Sequence, residues 1–135
     1  RHAGKRQRSS HPGAQYIFLM SKSEKYYYNY ESIMEKNGTT RRNRRTVWDI
    51  CTQPFPEAHF ATFPPELVDP CILAGSRPGD YVLDPFFGSG TIGLVCQKRH
   101  RKYIGIELHP DYFQMAVNRL SANEKQVDLL AAEQS

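Results

Sequence analysis

The stretch Asp80-Tyr81-Val82-Leu83-Asp84-Pro85-Phe86-Phe87-Gly88-Ser89-Gly90-Thr91 decides how this chain folds. Tyr81 to Leu83 is a short, unbroken apolar run that stops at Asp84, as expected of a strand buried in a parallel sheet. Phe86 to Gly90 is a glycine-rich turn, where the missing Cβ lets backbone bend sharply and approach another group closely. Thr91 to Arg99 follows with Ile92, Leu94, Val95 and Cys96 and reads as a helix. Tyr103 to Leu108 is the next strand. Pro110 suits a first helical turn, with Tyr112, Met115, Ala116 and Leu120 as the apolar stripe behind it. Ser121 to Ser135 is weakly helical and is expected to fray. The order strand, turn, helix, strand, helix predicts an α/β parallel sheet with right-handed crossovers.

Working outward, Arg77-Pro78-Gly79-Asp80 is a turn. Before it, Leu67, Val68, Cys71 and Ile72 form a helical stripe between Pro65 and Ala74, with Gly75 as a stop. Pro70 lies inside and predicts a kink or a separate first turn. Cys71 and Cys96 are expected in the core. Pro54, Pro56, Pro64 and Pro65 make residues 51–63 irregular. Gln15 to Met20 and Lys25 to Tyr30 are β-prone runs around a four-residue polar break, predicting an N-terminal β-hairpin. Tyr27 is expected in the core, and Tyr26, Tyr28 and Tyr30 could stack on bases. Glu31 to Arg45 reads as a loop, with one helical turn after Tyr30, and Thr46 to Ile50 as a short extended piece. Residues 1–13 read as loop or disorder. The division is therefore 1–13, then 14–50 with the hairpin and a short basic loop, then 51–135.

With 135 residues, 39% hydrophobic and 24% charged, the chain has ordinary globular composition. No apolar run approaches the ~18 residues of a membrane span. Three separated cysteines with no Cys-x-x-Cys pair argue for a reducing compartment and against zinc. The net charge of +4 is uneven. Residues 1–50 hold eleven basic and four acidic residues, and the remainder seven basic and ten acidic. That pairs a polyanion-facing part with a mildly acidic ligand-binding part. The arginines of the run Arg41-Arg42-Asn43-Arg44-Arg45 would meet phosphates.

The turn after the strand points to a ligand. A helix N-terminus offers unpaired N–H groups to anionic or polar groups. Glu107, roughly 20 residues past the turn, can accept both hydroxyls of a ribose. A nucleoside-containing cofactor across the strand ends is the reading that follows. Gly88-x-Gly90-x-x-Gly93 also matches the dinucleotide fingerprint, which leaves a dinucleotide-binding domain of an oxidoreductase as an alternative. An acidic strand end would repel a pyrophosphate but suits an α-amino group or a sulfonium, which favours S-adenosylmethionine over NAD.

At these residues the chain resembles the DNA amino-methyltransferases, which modify adenine N6 or cytosine N4. Asp84 to Thr91 (DPFFGSGT) looks like their cofactor motif. His59 to Leu67 (HFATFPPEL) resembles a second cofactor motif, found ahead of the first in a permuted subgroup. Ile104 to Tyr112 (IGIELHPDY) is similar to the segment carrying the ribose-binding acid. Gln15 to Tyr28 and Arg44 to Ile50 are similar to the same subgroup. The resemblance implies an incomplete Rossmann-like fold with S-adenosylmethionine as cofactor. It implies Asp84 near the amino group and Glu107 on the ribose. Phe86 and Gly88 would lie by the methionyl and adenosine parts. Ser89, Gly90, Thr91 and the segment Ala61-Thr62-Phe63 would lie around the amino-acid end, and His59 would cap or order its loop. Arg41, Arg42, Arg44 and Arg45 would face double-stranded DNA, and no metal is implied.

The resemblance also implies an amine-accepting segment, Asp/Ser/Asn-Pro-Pro-aromatic, beside a flipped base. Pro64-Pro65 lies between Phe63 and Glu66 and does not match it, so no catalytic residue is assigned in this chain. The expectation is the C-terminal part of a site-specific methyltransferase, inactive by itself, completed by an N-terminal catalytic part or by a second chain. In the whole enzyme the amine would displace the methyl in line, helped by positioning. The alternative is an inactive cofactor- or DNA-binding subunit. Either would work in the cytoplasm of a bacterial, archaeal or phage-type host.

Overall fold

The computed structural model describes residues 15–51 and 63–133. Their elements are a 3-10 turn at Tyr30–Ile33, β1 (Glu35–Asn37), β2 (Thr40–Arg42), α1 (Pro65–Gly75), β3 (Tyr81–Asp84), α2 (Thr91–Lys98), β4 (Lys102–Gly105) and α3 (Pro110–Glu133). The strand–helix–strand–helix order from Tyr81 onward is as expected. β3 and β4 pair in parallel, with Tyr81 opposite Lys102 and Asp84 opposite Gly105, and α2 makes the crossover.

The N-terminal hairpin is displaced from its predicted place. Residues 15–20 and 25–29 form no strand, and Tyr16, Phe18 and Met20 are exposed. The hairpin is β1–β2, inside the segment read as a loop, with Asn37 opposite Thr40. Gly38 opens its two-residue turn with φ 62°, as a II′ turn requires. Turn chemistry wins over strand propensity here, since Glu35-Lys36-Asn37 has none to speak of. The helical turn after Tyr30 is present and is capped by Asn29, whose side chain accepts from Ser32 N at 3.2 Å. Thr46 and Val47 form a bend, and Trp48 to Ile50 belong to no regular element.

α1 runs unbroken through Pro70, and Gly75 is its last residue instead of the stop beyond it. Pro65 opens the helix, where its missing N–H costs nothing. Arg99 binds Asp69 through two bonds of 2.6 and 2.7 Å, fixing α1 against the end of α2. α3 continues as helix through the stretch read as weakly helical, to Glu133.

Two apolar clusters lie on one side of the sheet. Val68, Ile72, Val95 and Cys96 pack with Val82, Ile92 and Tyr103. Phe87, Ala116 and Leu120 pack with Leu94 and Tyr103. Cys96 is fully buried as expected, and burial pushes its thiol up to about 11. Cys71 departs from its expected place: it is exposed, because α1 turns Val68, Pro70, Ile72 and Ala74 inward. Tyr27 is half-buried, with the Arg77 guanidinium 4.3 Å above its ring.

Candidate functional site

The site forms where β3 and β4 end side by side. Asp84 O accepts from Ile106 N, and Phe87 N donates back to Ile106 O, each at 2.9 Å. These two bonds carry the parallel pairing past the strands and lace the turn to the chain that holds Glu107. Asp84 is buried. Its Oδ1 accepts from Phe86 N at 3.0 Å, whereas its Oδ2 is buried without a hydrogen-bond partner. A buried carboxylate oxygen without a donor is costly, and among the described residues Oδ2 has none.

Gly88 and Gly90 both take positive φ, 51° and 80°, which only glycine adopts without strain. Gly90 also lies against α3, where a Cβ would come 3.1 Å from Ala116 Cβ. Gly90 caps α2, so the first-turn N–H groups behind it have no intrahelical partner. Thr91 is buried at the first helical position.

Glu107 reaches across to the turn. Its Oε2 accepts from Gly88 N at 2.7 Å and its Oε1 from His109 N at 2.8 Å. The His109 backbone N–H, followed by those of Gly88 and Leu108, holds this carboxyl below the usual glutamate range. Two carboxylates, Asp84 and Glu107, thus flank one glycine turn. They suit a ligand that brings N–H or O–H donors and positive charge.

The adjacent phenylalanines divide. Phe86 is 87% exposed beside the site, free to lie against a ligand. Phe87 is buried and stacks on Tyr103, with ring centroids 5.9 Å apart. Its ring occupies the space over Gly105, where a Cβ would come within 2.4 Å. Ser89 faces α3. It is buried, and both its carbonyl and its Oγ accept from Arg119 Nη1 of α3 at 2.7 Å. The structure thus brings together Asp84, Phe86, Gly88, Gly90, Thr91 and Glu107, and turns Ser89 toward α3. Phe63 is exposed just before α1. His59, Ala61 and Thr62 lie outside the described residues.

Sequence reasoning missed Arg119 and Gly105. No spacing rule links positions 89 and 119. Gly105 sits in an apolar run, and its lack of a side chain was the available signal of close approach.

The four arginines differ. Arg41 donates to the carbonyls of Glu31 and Met34, and Arg42 pairs with Glu35 at 3.4 Å. Arg44 lies 4.4 Å over the Trp48 ring, and Arg45 is exposed. Among the described residues no cluster of acids, histidines and cysteines could hold a metal ion, and no helix is long and apolar enough to cross a membrane.

The chain is similar in sequence and fold to known proteins. The DNA methylase family model for N6 and N4 methyltransferases matches residues 3–118. The type II methyltransferase M.Cfr9I of Citrobacter freundii is 58% identical over 119 residues, covering 87% of this chain and 40% of the relative. M.HinfI of Haemophilus influenzae is 36% identical over 124 residues, 83% of this chain and 34% of its own. The crystal structure of M1.HpyAVI with SAM superposes with a TM-score of 0.54 at 35% identity, over 71% of this chain and 44% of that one. TTHA0409 of Thermus thermophilus, a putative DNA modification methylase complexed with S-adenosyl-L-methionine, gives 0.50 at 35% identity over 58% and 30%. The chain thus spans about two fifths of the length of curated relatives such as M.Cfr9I, and its parallel two-stranded sheet with flanking helices is part of a Rossmann-like fold. With the family model covering most of its length, the chain belongs to the N6/N4 DNA methylase family.

Proposed function

We propose that this chain supplies the cofactor-binding part of a type II DNA methyltransferase acting on an exocyclic amino group, adenine N6 or cytosine N4. S-adenosylmethionine, when bound, supplies an electrophilic methyl group on a sulfonium. The observation that carries the reading is the buried, unpartnered Oδ2 of Asp84, set across the glycine turn from Glu107. Asp84 Oδ2 accepts from the α-amino group. The free lone pairs of Glu107 accept from the ribose hydroxyls while its Gly88 and His109 bonds hold it in place. The exposed ring of Phe86 covers the apolar side of the adenosine. The N–H groups that open α2 meet the carboxylate end.

Arg44 and Arg45 meet DNA phosphates. Arg41 and Arg42, tied to their own hairpin, shape that surface. The segment that accepts the amine comes from outside these 135 residues, so the chain alone binds cofactor and transfers nothing.

Calorimetry with S-adenosylmethionine, S-adenosylhomocysteine and NADH tests this. Binding of the two adenosyl ligands is expected, with loss on Asp84→Asn. NADH binding without either of them would overturn the reading. A dinucleotide site is disfavoured by the same Asp84, whose charge would face a pyrophosphate.

A further inference from the structure

α3 presses one face against the glycine turn and the start of α2. Ala116, Arg119 and Leu120 have the i, i+3, i+4 spacing of a single helical face. Ala116 lies against Gly90 and Leu120 against Gly93, so closely that a Cβ on those glycines would come 3.1 Å from Ala116 Cβ and 2.8 Å from Leu120 Cδ2. Arg119, between them, donates through Nη1 to the carbonyl and to the Oγ of Ser89, at 2.7 Å in each case. One turn further on, Gln97 of α2 accepts from Asn123 at 2.8 Å and donates to Glu124 at 2.9 Å. Packing before Arg119 and hydrogen bonds after it therefore locate the helix that delivers its guanidinium.

Ser89 is where the turn most needs a tie. It stands between two glycines in the left-handed region, Gly88 at φ 51° and Gly90 at φ 80°, and glycine backbone loses the most freedom when held in one conformation. The two sides of the turn are held differently. On the strand side, Gly88 N donates to Glu107 and Phe87 N to Ile106 O, which fixes the backbone to the end of β4. On the helix side, Gly90 N donates to Phe87 O, a bond inside the turn, and Gly90 O accepts from Leu94 N, a bond inside α2. Neither bond ties the Ser89–Gly90 peptide to a separate element. The two bonds from Arg119 do, and being charge-assisted they are stronger than neutral ones.

We infer that Arg119 is a positioning residue for S-adenosylmethionine, serving its methionyl end and not its ribose. Fixing the Ser89–Gly90 peptide aims the first N–H groups of α2, to which the proposed function gives the cofactor carboxylate. Glu107, to which it gives the ribose, is held by Gly88 N and His109 N without Arg119. The inference rests on that proposed function, and its test separates the two.

The test titrates the chain and its Arg119→Ala and Arg119→Lys variants with two ligands by calorimetry. S-adenosylhomocysteine carries the amino-acid end. 5′-methylthioadenosine keeps the adenine, ribose and sulfur and lacks that end. Arg119→Ala should weaken S-adenosylhomocysteine about tenfold and 5′-methylthioadenosine by less than about twofold. Arg119→Lys, which keeps the charge but not the fork of donors, should recover part of the first loss. Amide exchange gives a second readout, taken without ligand. In Arg119→Ala the Gly90 N–H should exchange about tenfold faster, while the Ile106 N–H, bonded to Asp84 O, should keep its rate.

Equal losses for both ligands would make Arg119 a packing residue only and would overturn the inference. Unchanged affinity for S-adenosylhomocysteine would overturn it too, as would an unchanged rate at Gly90. If the unsubstituted chain bound neither ligand, the proposed function would fall, and the Gly90 rate would still decide whether Arg119 sets the turn.

Discussion

Glu107 owes its position to backbone rather than to side-chain partners, since the N–H groups of Gly88 and His109 hold one oxygen each. Its folded pKa is depressed, so its contribution to stability is full above the ordinary value and is lost as pH falls through the folded one. Cofactor affinity measured by calorimetry should accordingly be flat from neutrality down to the ordinary glutamate range and drop only in stronger acid. Glu107→Gln should weaken binding at neutral pH and flatten that acid limb; an unchanged acid limb would assign the titration to another group. Arg119 acts from behind the turn. Arg119→Ala removes both bonds to Ser89, and affinity for S-adenosylhomocysteine should fall about tenfold, the equivalent of one charge-assisted hydrogen bond. Arg119→Lys should restore part of it. These residues differ in how legible they were. Asp84 and Glu107 are legible because each closes an apolar run, one at the glycine turn and the other roughly 20 residues beyond it. Arg119 is a tertiary contact across thirty residues, and no local pattern announces it.

At the scale of elements, β4 and the turn are fitted to each other through Gly105 and Phe87. Gly105→Ala should destabilise by about 1–3 kcal/mol in urea unfolding, the range for overpacking a filled site. Adding Phe87→Leu should return part of that loss, and strict additivity of the two would argue against direct contact. The Arg99–Asp69 pair is partly exposed, and Arg99→Ala should cost only about 1 kcal/mol. Cys96, with its raised pKa and full burial, should resist thiol reagents that label Cys51 and Cys71 in the native chain. The α/β part was readable because apolar runs, glycines and prolines all pointed one way there. The N-terminal part was not. Gln15 to Met20 has strand-forming residues but no partner strand within the described residues, so propensity had nothing to act on. Glu35 to Arg42 has weak propensity and a strong turn, and the turn decided.

For the whole molecule, charge is what the proposed function turns on. If Arg44 and Arg45 meet phosphates as proposed, DNA affinity of the completed methyltransferase should fall steeply with salt. Arg44→Ala and Arg45→Ala should each flatten the log–log slope by about 0.9, one phosphate contact apiece. Arg42→Ala should change it little, because Glu35 already neutralises that side chain. An equal change for all three would place the whole arginine run on the phosphate backbone. The shape of the molecule has its own consequence. The 24 residues of α3 extend ~36 Å at the helical rise. The four residues of β4 cover only ~13 Å. The helix packs on α2 through Ala116, Leu120, Asn123 and Glu124, then continues for nine more residues to Glu133. Its last residues therefore lie a long helix away from Pro110, the end that follows Glu107. A dye or tether fixed near Glu133 would sit ~36 Å along the helix from Pro110, making that end the natural handle for watching assembly by energy transfer.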